Sequence, residues 1–219
     1  VATTSVTVLN TAPFWTASTT EIIESSTTTP TNSGDVVSWQ AIGTDSNSED
    51  YWLLICSTSA TPTPNSSAPP TCTSGIQWAR SGTTTSGALA TAATTTLEAW
   101  SESNAWFGWI CDANSGTPRC NSLYTQGTNA TNSSPFFVNH RPSFSLFSDT
   151  SPADPGTTVT FNSTSSDADT TGTQDTVKLI VCASAGFSTT TDSCTGTTLG
   201  STTVLASSNA TATYTIVIP

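Results

Sequence analysis

Short apolar runs, separated by turns rich in Thr, Ser, Asn, Asp and Gly, recur along the whole chain. At Val159, Thr160 and Phe161 apolar and polar positions alternate, whereas residues 53–55 and 179–181 are continuously apolar. Alternation with a period of two is typical of a half-buried strand, and a short apolar run bounded by turn residues is typical of a strand in a core. Thr and Val also favour extended backbone because branching at Cβ restricts χ1. The pattern predicts an all-β fold built from many short strands.

The order of these segments repeats along the chain. An alternating strand from residue 36, the acidic turn "GTDSNSED" and the apolar strand "YWLLIC" are echoed from residue 159 by "VTF", "SSDADTTGTQD" and "TVKLIVC". The same order of strand, acidic turn, apolar strand and cysteine in both segments indicates two copies of one structural unit. Further strands of the first copy are expected at residues 76–78, 94–100, 105–111 and 136–139. About seven short strands in one copy is the number found in an immunoglobulin-like sandwich.

The chain is therefore expected to contain two immunoglobulin-like β-sandwich domains in tandem, preceded by a projecting N-terminal strand. The strand is assigned to residues 1–10, the first domain to residues 11–139, and the second, incomplete domain to residues 140–219. A chain of 219 residues is long enough for two domains that each bury a hydrophobic core.

The sequence begins with a segment that resembles the last strand of the first copy, and its second copy lacks some of the strands found in the first. Residues 6–10 (VTVLN) align with residues 136–139 (FFVN), which form the closing strand of the first copy. The second copy reaches residue 219 without counterparts of the strands around residues 106–109 and 136–138. A sandwich that lacks such strands exposes unpaired backbone N–H and C=O groups and an open core groove.

Two explanations of the extra first strand and the incomplete second copy are open. Either the sequence is part of a longer cell-surface adhesin or carbohydrate-binding stalk, or the N-terminal strand enters the incomplete domain of a neighbouring copy. Strand addition of the second kind runs head to tail and does not close on itself, so it generates a filament. The residues expected at this contact are Val6, Val8, Tyr214, Ile216 and Ile218.

Each of three apolar strands ends in a cysteine, and a second cysteine follows beyond a polar loop. The local pairs are Cys56 with Cys72, Cys111 with Cys120, and Cys182 with Cys194. Connectivity does not follow from cysteine spacing alone, but the shared pattern favours these local pairs. Because no C-x-x-C spacing occurs, thiolate metal sites and redox motifs are not indicated. Structural disulfides imply an oxidising, extracellular compartment.

Charge and hydropathy narrow the range of partners. Charged residues make up 9% of the chain, and the net charge is -11 because Lys and Arg total only 4. Such a surface repels phosphate groups, so nucleic acid and anionic membranes are not expected as partners.

No run approaches the roughly 18 apolar residues of a membrane-spanning helix, so we do not expect a membrane-embedded protein. The first residue is Val and Met is absent, which fits a mature secreted protein without its signal peptide.

Two longer segments, "DPGTTVTFNSTSSDADTTGTQDTVKLIVC" and its echo "GDVVSWQAIGTDSNSEDYWLLIC", resemble a known group of repeats. They are similar to tandem immunoglobulin-like repeats of secreted microbial surface proteins, of the polycystic-kidney-disease-type and cadherin-like kind. This resemblance implies β-sandwich domains that act as stalks, adhesive modules or filament subunits, usually without catalysis. The loop cysteines, and the absence of a Trp-Asp-Phe-Gly-Asp segment, depart from the kidney-disease-type pattern.

Acidic turns in both copies are candidate calcium sites. Clustered carboxylates with flexible carbonyl oxygens suit Ca2+, although these turns do not follow the EF-hand pattern. The candidate ligands are Asp45, Glu49 and Asp50 in the first copy and Asp167, Asp169 and Asp175 in the second. Solvated turn residues are the alternative interpretation, and the sequence requires no cofactor.

Catalytic chemistry is not indicated by the sequence. His140 is the only histidine, and no G-x-S-x-G motif presents a serine nucleophile for it to activate. We interpret His140 as a hinge residue at the point where the two copies join. The protein is therefore expected not to be an enzyme.

The tryptophans offer a candidate contact surface. Trp106 and Trp109 are three residues apart and point to opposite faces of one strand. One of them is expected either at the surface or an interface, where it could stack on surface glycans, or in an aromatic core on the second face of the sandwich.

Five asparagines begin N-x-S/T sequons, which can carry N-linked glycans on exposed loops. They are Asn65, Asn129, Asn132, Asn162 and Asn209. All these features favour a secreted, extracellular or cell-surface protein that polymerises with copies of itself into a pilus-like filament.

Overall fold

A computed structural model describes residues 9–129, 132–170, 175–207 and 209–216 of the chain. Every regular element in these residues is a β-strand, so the prediction of an all-β fold is confirmed. The described part of the chain contains no helix that could span a membrane. The chain divides into two compact units, unit 1 (Val1–Asn139) and unit 2 (His140–Pro219).

Unit 1 is built from nine described strands that form three small sheets. The strands are β1 (Phe14–Glu21), β2 (Thr31–Asn32), β3 (Val36–Thr44), β4 (Tyr51–Cys56), β5 (Gln77–Arg80), β6 (Leu89–Thr95), β7 (Ser103–Asn104), β8 (Phe107–Asp112) and β9 (Phe136–Asn139). Two antiparallel sheets have the orders β1-β3-β6 and β5-β4-β8. In the third, β9 runs parallel to β2 and antiparallel to β7.

The core of unit 1 lies between the two antiparallel sheets and follows the period-two pattern of the sequence. Val37, Trp39 and Ala41 of β3 are buried, as are Tyr51 and the other inward residues of β4. Trp39 makes T-shaped ring contacts with Trp106 and Phe136, with ring centroids 6.1 and 5.6 Å apart. Because alternate side chains of a strand point to one face, the inward residues of β3 and β4 meet in this core, to which β5, β6, β8 and β9 also contribute.

Trp106 and Trp109 lie on opposite faces of β8 and the residue before it, and both are buried. Trp106 belongs to the main core, whereas Trp109 packs with Leu54 and Cys111 on the second face of the β5-β4-β8 sheet. The ring of Tyr124 covers Trp109 at a centroid distance of 5.6 Å. Of the two interpretations, the aromatic core on the second face therefore describes Trp109, because the loop after β8 folds back over that face.

One expected strand of unit 1 is misplaced. The sequence favours a strand at residues 94–100, whereas β6 ends at Thr95 and the backbone N–H of Trp100 bonds to the carbonyl of Leu97 in a turn. The inward residues of β6 are Ala90 and Ala92. Small side chains give a weak hydrophobic signal, so the periodic pattern points instead to the larger apolar residues that follow.

Unit 2 contains seven described strands: β10 (Ser143–Asp149), β11 (Thr158–Ser166), β12 (Thr176–Cys182), β13 (Phe187–Ser188), β14 (Ser193–Cys194), β15 (Thr198–Leu205) and β16 (Asn209–Thr215). They form the sheets β10-β11-β16, β12-β15 and β13-β14. Leu179, Ala210 and Ala212 form a small core cluster, against which Val181 and Val204 pack. This core is much smaller than that of unit 1.

Three disulfides close local loops. They join Cys56 to Cys72, Cys111 to Cys120 and Cys182 to Cys194, and no described cysteine is free. Each loop leaves the end of a strand and returns beside it, which is the arrangement that the repeated pattern favours. The three disulfides are compatible with an extracellular protein.

Candidate functional site

An open strand edge in unit 2 is the first candidate site. β12 pairs with β15 from Thr176 opposite Leu205 to Cys182 opposite Thr198. Among the described residues, no strand pairs with the other edge of β12. In unit 1, β4, which the sequence repeat matches to β12, pairs with β5 on one edge and with β8 on the other. Among the described residues, β12 therefore has one paired edge where β4 has two.

An apolar groove lies beside this open edge. It has a volume of about 330 Å³ and is bordered by β10, β11 and β12, with Phe147, Phe161, Leu179 and Val181 among its lining residues. β10 also leaves Phe144, Leu146 and Phe147 exposed, and Phe147 is 68% accessible. Clustered exposed apolar side chains of this size mark contact surfaces more often than isolated ones do.

Tyr214 and Ile216, two of the contact residues expected from the sequence, do not line this groove. Val6, Val8 and Ile218 lie outside the described residues. Tyr214 is opposite Val159 in the β11–β16 pair, and the N–H of Ile216 bonds to the carbonyl of Thr157. Sequence reasoning did not single out the β12 edge, because a strand edge is defined by its neighbours and not by its own residues.

A carboxylate cluster in unit 1 is the second candidate site. One carboxylate oxygen from each of Asp45, Glu49 and Asp112 lies within 4.8 Å of the others. Asp45 and Glu49 belong to the acidic turn between β3 and β4, and Asp112 ends β8 opposite Tyr51. Asp50 is exposed and does not belong to the cluster. Asp112 is distant from this turn in the sequence and reaches it only through the β4–β8 pairing, so sequence reasoning missed it.

Hydrogen bonds hold this cluster in place but leave several oxygens unused. Asp112 accepts bonds from the backbone N–H groups of Asn114 and Arg119 and from Nδ2 of Asn10, the last at 2.9 Å. Oδ1 of Asp45 accepts a bond from the N–H of Asn47. No described group bonds to Oδ2 of Asp45, Oε2 of Glu49 or Oδ1 of Asn10, although all three atoms are buried.

The acidic turn of unit 2 is arranged differently. Asp167 accepts bonds from the backbone N–H groups of Asp169 and Asp175, and both carboxylate oxygens of Asp169 contact His140, one at the ring and one at the backbone N–H. Burial, followed by the charges of Asp167 and Asp169, raises the pKa of Asp175. Among the described residues, a group of three potential metal ligands is found only in unit 1.

Glu21 is a buried acid that sequence reasoning did not single out. It is 1% exposed, and Oε1 accepts a hydrogen bond of 2.7 Å from Nε1 of Trp106. Oε2 accepts a bond from the backbone N–H of Ser25. Burial raises the pKa of Glu21 to about 8. These contacts tie the end of β1 to the aromatic core and present no nucleophile to solvent.

The five sequons differ in accessibility. Asn65, Asn129 and Asn209 are exposed, whereas Asn132 and Asn162 are half-buried. Asn162 and Asn209 lie on the outward, Thr-rich face of the β11–β16 pair, where each accepts a bond from a threonine hydroxyl. That face is polar, and Asn162 also borders the groove beside β12.

Comparison with known proteins adds no family to this picture. No protein-family model matches the sequence, and neither a characterised protein nor a solved structure is significantly similar to the chain. Function therefore has to be argued from the two candidate sites.

Proposed function

We propose that this protein is a secreted, non-enzymatic subunit of an extracellular, pilus-like filament that assembles head to tail by β-strand donation. In this proposal both units are immunoglobulin-like domains, and residues 1–10 of one copy complete unit 2 of the next. The observation that supports it best is the unpaired edge of β12 beside an apolar groove, whereas both edges of β4 in unit 1 are paired.

A donated strand of this sequence would be buried on one face. The segment VTVLN resembles β9, the closing strand of unit 1, in which the buried residues Phe136 and Val138 alternate with half-buried residues. Val6 and Val8 are likewise two residues apart, so at the β12 edge they would point together into the groove while Thr7 points outward. Each buried valine side chain would contribute about 1.5 kcal/mol or more, and backbone hydrogen bonds to the acceptor strand would add to this.

Donation from one end to the other gives an open chain of subunits. The donor segment and the acceptor groove belong to different units, so each added copy offers a new groove. A heterologous contact of this kind extends into a filament unless its rotation closes a ring. The disulfides would stabilise such a polymer in an oxidising medium, where thiols do not remain reduced.

Removal of residues 1–9 tests this function directly. We expect the truncated protein to stay monomeric in negative-stain images and in sedimentation velocity, while the intact chain forms filaments. The double substitution Val6→Asp and Val8→Asp is expected to have the same effect, because it places charge in an apolar groove. Thr7→Asp, on the opposite face of the same strand, is the matched control and is expected to polymerise.

Filament formation by the truncated protein would refute strand donation. An intact chain that stays monomeric and binds sugars on a glycan array would instead favour the adhesin or carbohydrate-binding stalk. A synthetic peptide of residues 1–10 separates these cases further, since only strand donation predicts that it binds the truncated protein.

A further inference from the structure

We propose that Asp45, Glu49 and Asp112 of unit 1, together with the amide oxygen of Asn10, form a Ca2+ site that anchors the chain immediately after residues 1–9. The sequence places calcium on Asp45, Glu49 and Asp50, whereas the folded chain brings a different ligand set together. Asp112 and Asn10 come from β8 and from the segment before β1, and Asp50 is left out.

Buried oxygens without partners carry this inference. Asp45 is 3% exposed and Asp112 is 2% exposed, so neither carboxylate is solvated as a surface acid would be. Oδ2 of Asp45 has no hydrogen-bond partner in the described structure, and the same holds for Oε2 of Glu49 and Oδ1 of Asn10. A buried polar atom without a partner is costly, and several in one place point to a ligand that they bind in common.

None of the three acids forms an ion pair with a described side chain. The ion pairs of His140 with Asp169 and of Lys178 with Asp192 do not involve them. Three carboxylate oxygens within 4.8 Å of one another repel strongly when buried. A divalent cation between them would replace this repulsion by attraction.

The donor set suits Ca2+ better than other common cations. All the available ligand atoms are carboxylate or amide oxygens, which are hard donors, and no described histidine or free cysteine joins them. Two of the acids lie in or beside loops, which can adjust to the 6 to 8 ligands at about 2.3–2.6 Å that Ca2+ takes. Mg2+ needs stricter octahedral geometry and zinc prefers nitrogen or sulfur.

Asn10 connects the site to the N-terminal segment. Its Nδ2 donates hydrogen bonds to Asp112 and to the carbonyl of Thr117, both at 2.9 Å. The next residue, Thr11, bonds through its backbone N–H to Oδ1 of Asn47 in the acidic turn. A cation held by Asn10 and the turn would therefore order the chain from which residues 1–9 extend. The site does not depend on strand donation, because all its ligands belong to unit 1.

Isothermal titration of the full chain with CaCl2, after removal of divalent ions by EDTA, tests the proposal. We expect one binding event with a dissociation constant of about 10⁻⁴ to 10⁻³ M or tighter, as in extracellular calcium modules. Glu49→Gln, which keeps the size of a half-exposed side chain, is expected to weaken binding at least about tenfold. Asp50→Asn removes one charge from the same turn and is expected to bind as the native chain does.

Hydrogen exchange supplies a second readout that a general charge effect would not reproduce. Ca2+ is expected to slow exchange of the Thr11 and Asn47 amides in the native chain and in Asp50→Asn, but not in Glu49→Gln. Equal calcium affinity in the native chain and Glu49→Gln, or no binding by the native chain, would overturn the proposal. The same titration on the chain with Val6→Asp and Val8→Asp is expected to be unchanged, so failure of filament assembly leaves this test intact.

Discussion

Glu21 is the residue whose chemistry departs furthest from that of a surface group. Loss of solvation raises its pKa from 4.5 to about 8, while hydrogen bonds from Trp106 and Ser25 oppose the rise and the charge of Glu24 adds to it. The carboxyl group therefore carries a proton at neutral pH in the folded protein. Its bond to Trp106 links β1 to the aromatic core, so the titration of one side chain affects unit 1 as a whole.

We expect the stability of unit 1 to fall as the pH rises from about 4.5 to about 8. Within this window folded Glu21 keeps a proton that the unfolded chain has lost, and linkage then favours unfolding as the pH increases. Glu21→Gln is expected to remove this dependence and to be more stable than the native chain above pH 8, by on the order of 3 kcal/mol after structural relaxation. Urea unfolding at several pH values measures the difference.

Glu24→Gln is the control for this comparison, because Glu24 is an exposed acid three residues away. Its stability profile is expected to follow that of the native chain closely. Native and Glu21→Gln profiles that run parallel from acid to alkaline pH would show that Glu21 does not titrate in this window.

Among the strands, β9 has a large effect on packing for its length. Its four residues join β2 to β7, and Phe136 makes T-shaped contacts with Trp39 and Trp78 at centroid distances of 5.6 and 5.3 Å. Phe137 points away from this cluster and is only half-buried. β9 therefore contributes both backbone pairing with β2 and β7 and a buried aromatic ring to the core of unit 1.

Phe136→Ala is expected to destabilise unit 1 by about 3–5 kcal/mol, because it removes a ring from a closely packed aromatic cluster and leaves a cavity. Phe137→Ala, one position along the same strand, is expected to cost less than half as much. The free energy of unfolding from guanidinium titration gives both values. Similar losses in the two variants would mean that β9 acts through its backbone pairing and not through its inward side chain.

The two units of the protein differ in the size of their cores. Unit 1 buries Trp39, Trp78, Trp106 and Phe136 in one cluster, whereas the core cluster of unit 2 consists of Leu179, Ala210 and Ala212. Because stabilisation rises with the apolar area removed from water, unit 2 is expected to be the weaker one. A strand added to β12 would bury additional apolar surface in unit 2, which has the smaller core of the two units.

Calorimetry of the protein lacking residues 1–9 is expected to show two unfolding transitions, the lower one belonging to unit 2. A peptide of residues 1–10 should raise the lower transition only, since a ligand stabilises the unit that binds it. The same peptide with Val6→Asp and Val8→Asp serves as the control and is expected to have no effect. A shift of the upper transition, or of neither, would contradict binding at the β12 edge.

Local features of this protein follow closely from its sequence. The continuous apolar runs at residues 53–55 and 179–181 are strands, and each disulfide joins cysteines within one loop. Strand boundaries are harder to predict where inward residues are small, as in β6 with Ala90 and Ala92. Periodicity and turn composition act over a few residues, so they define strands and loops without reference to the rest of the chain.

Long-range features required the folded structure. The sequence places Asp45 in an acidic turn, but only the pairing of β4 with β8 brings Asp112 beside it. The burial of Trp109 depends on the later loop that carries Tyr124, and the open edge of β12 depends on which strands lie next to it. Alternation along a strand determines which side chains share a face, whereas the partner of each face and edge is chosen by contacts between distant segments.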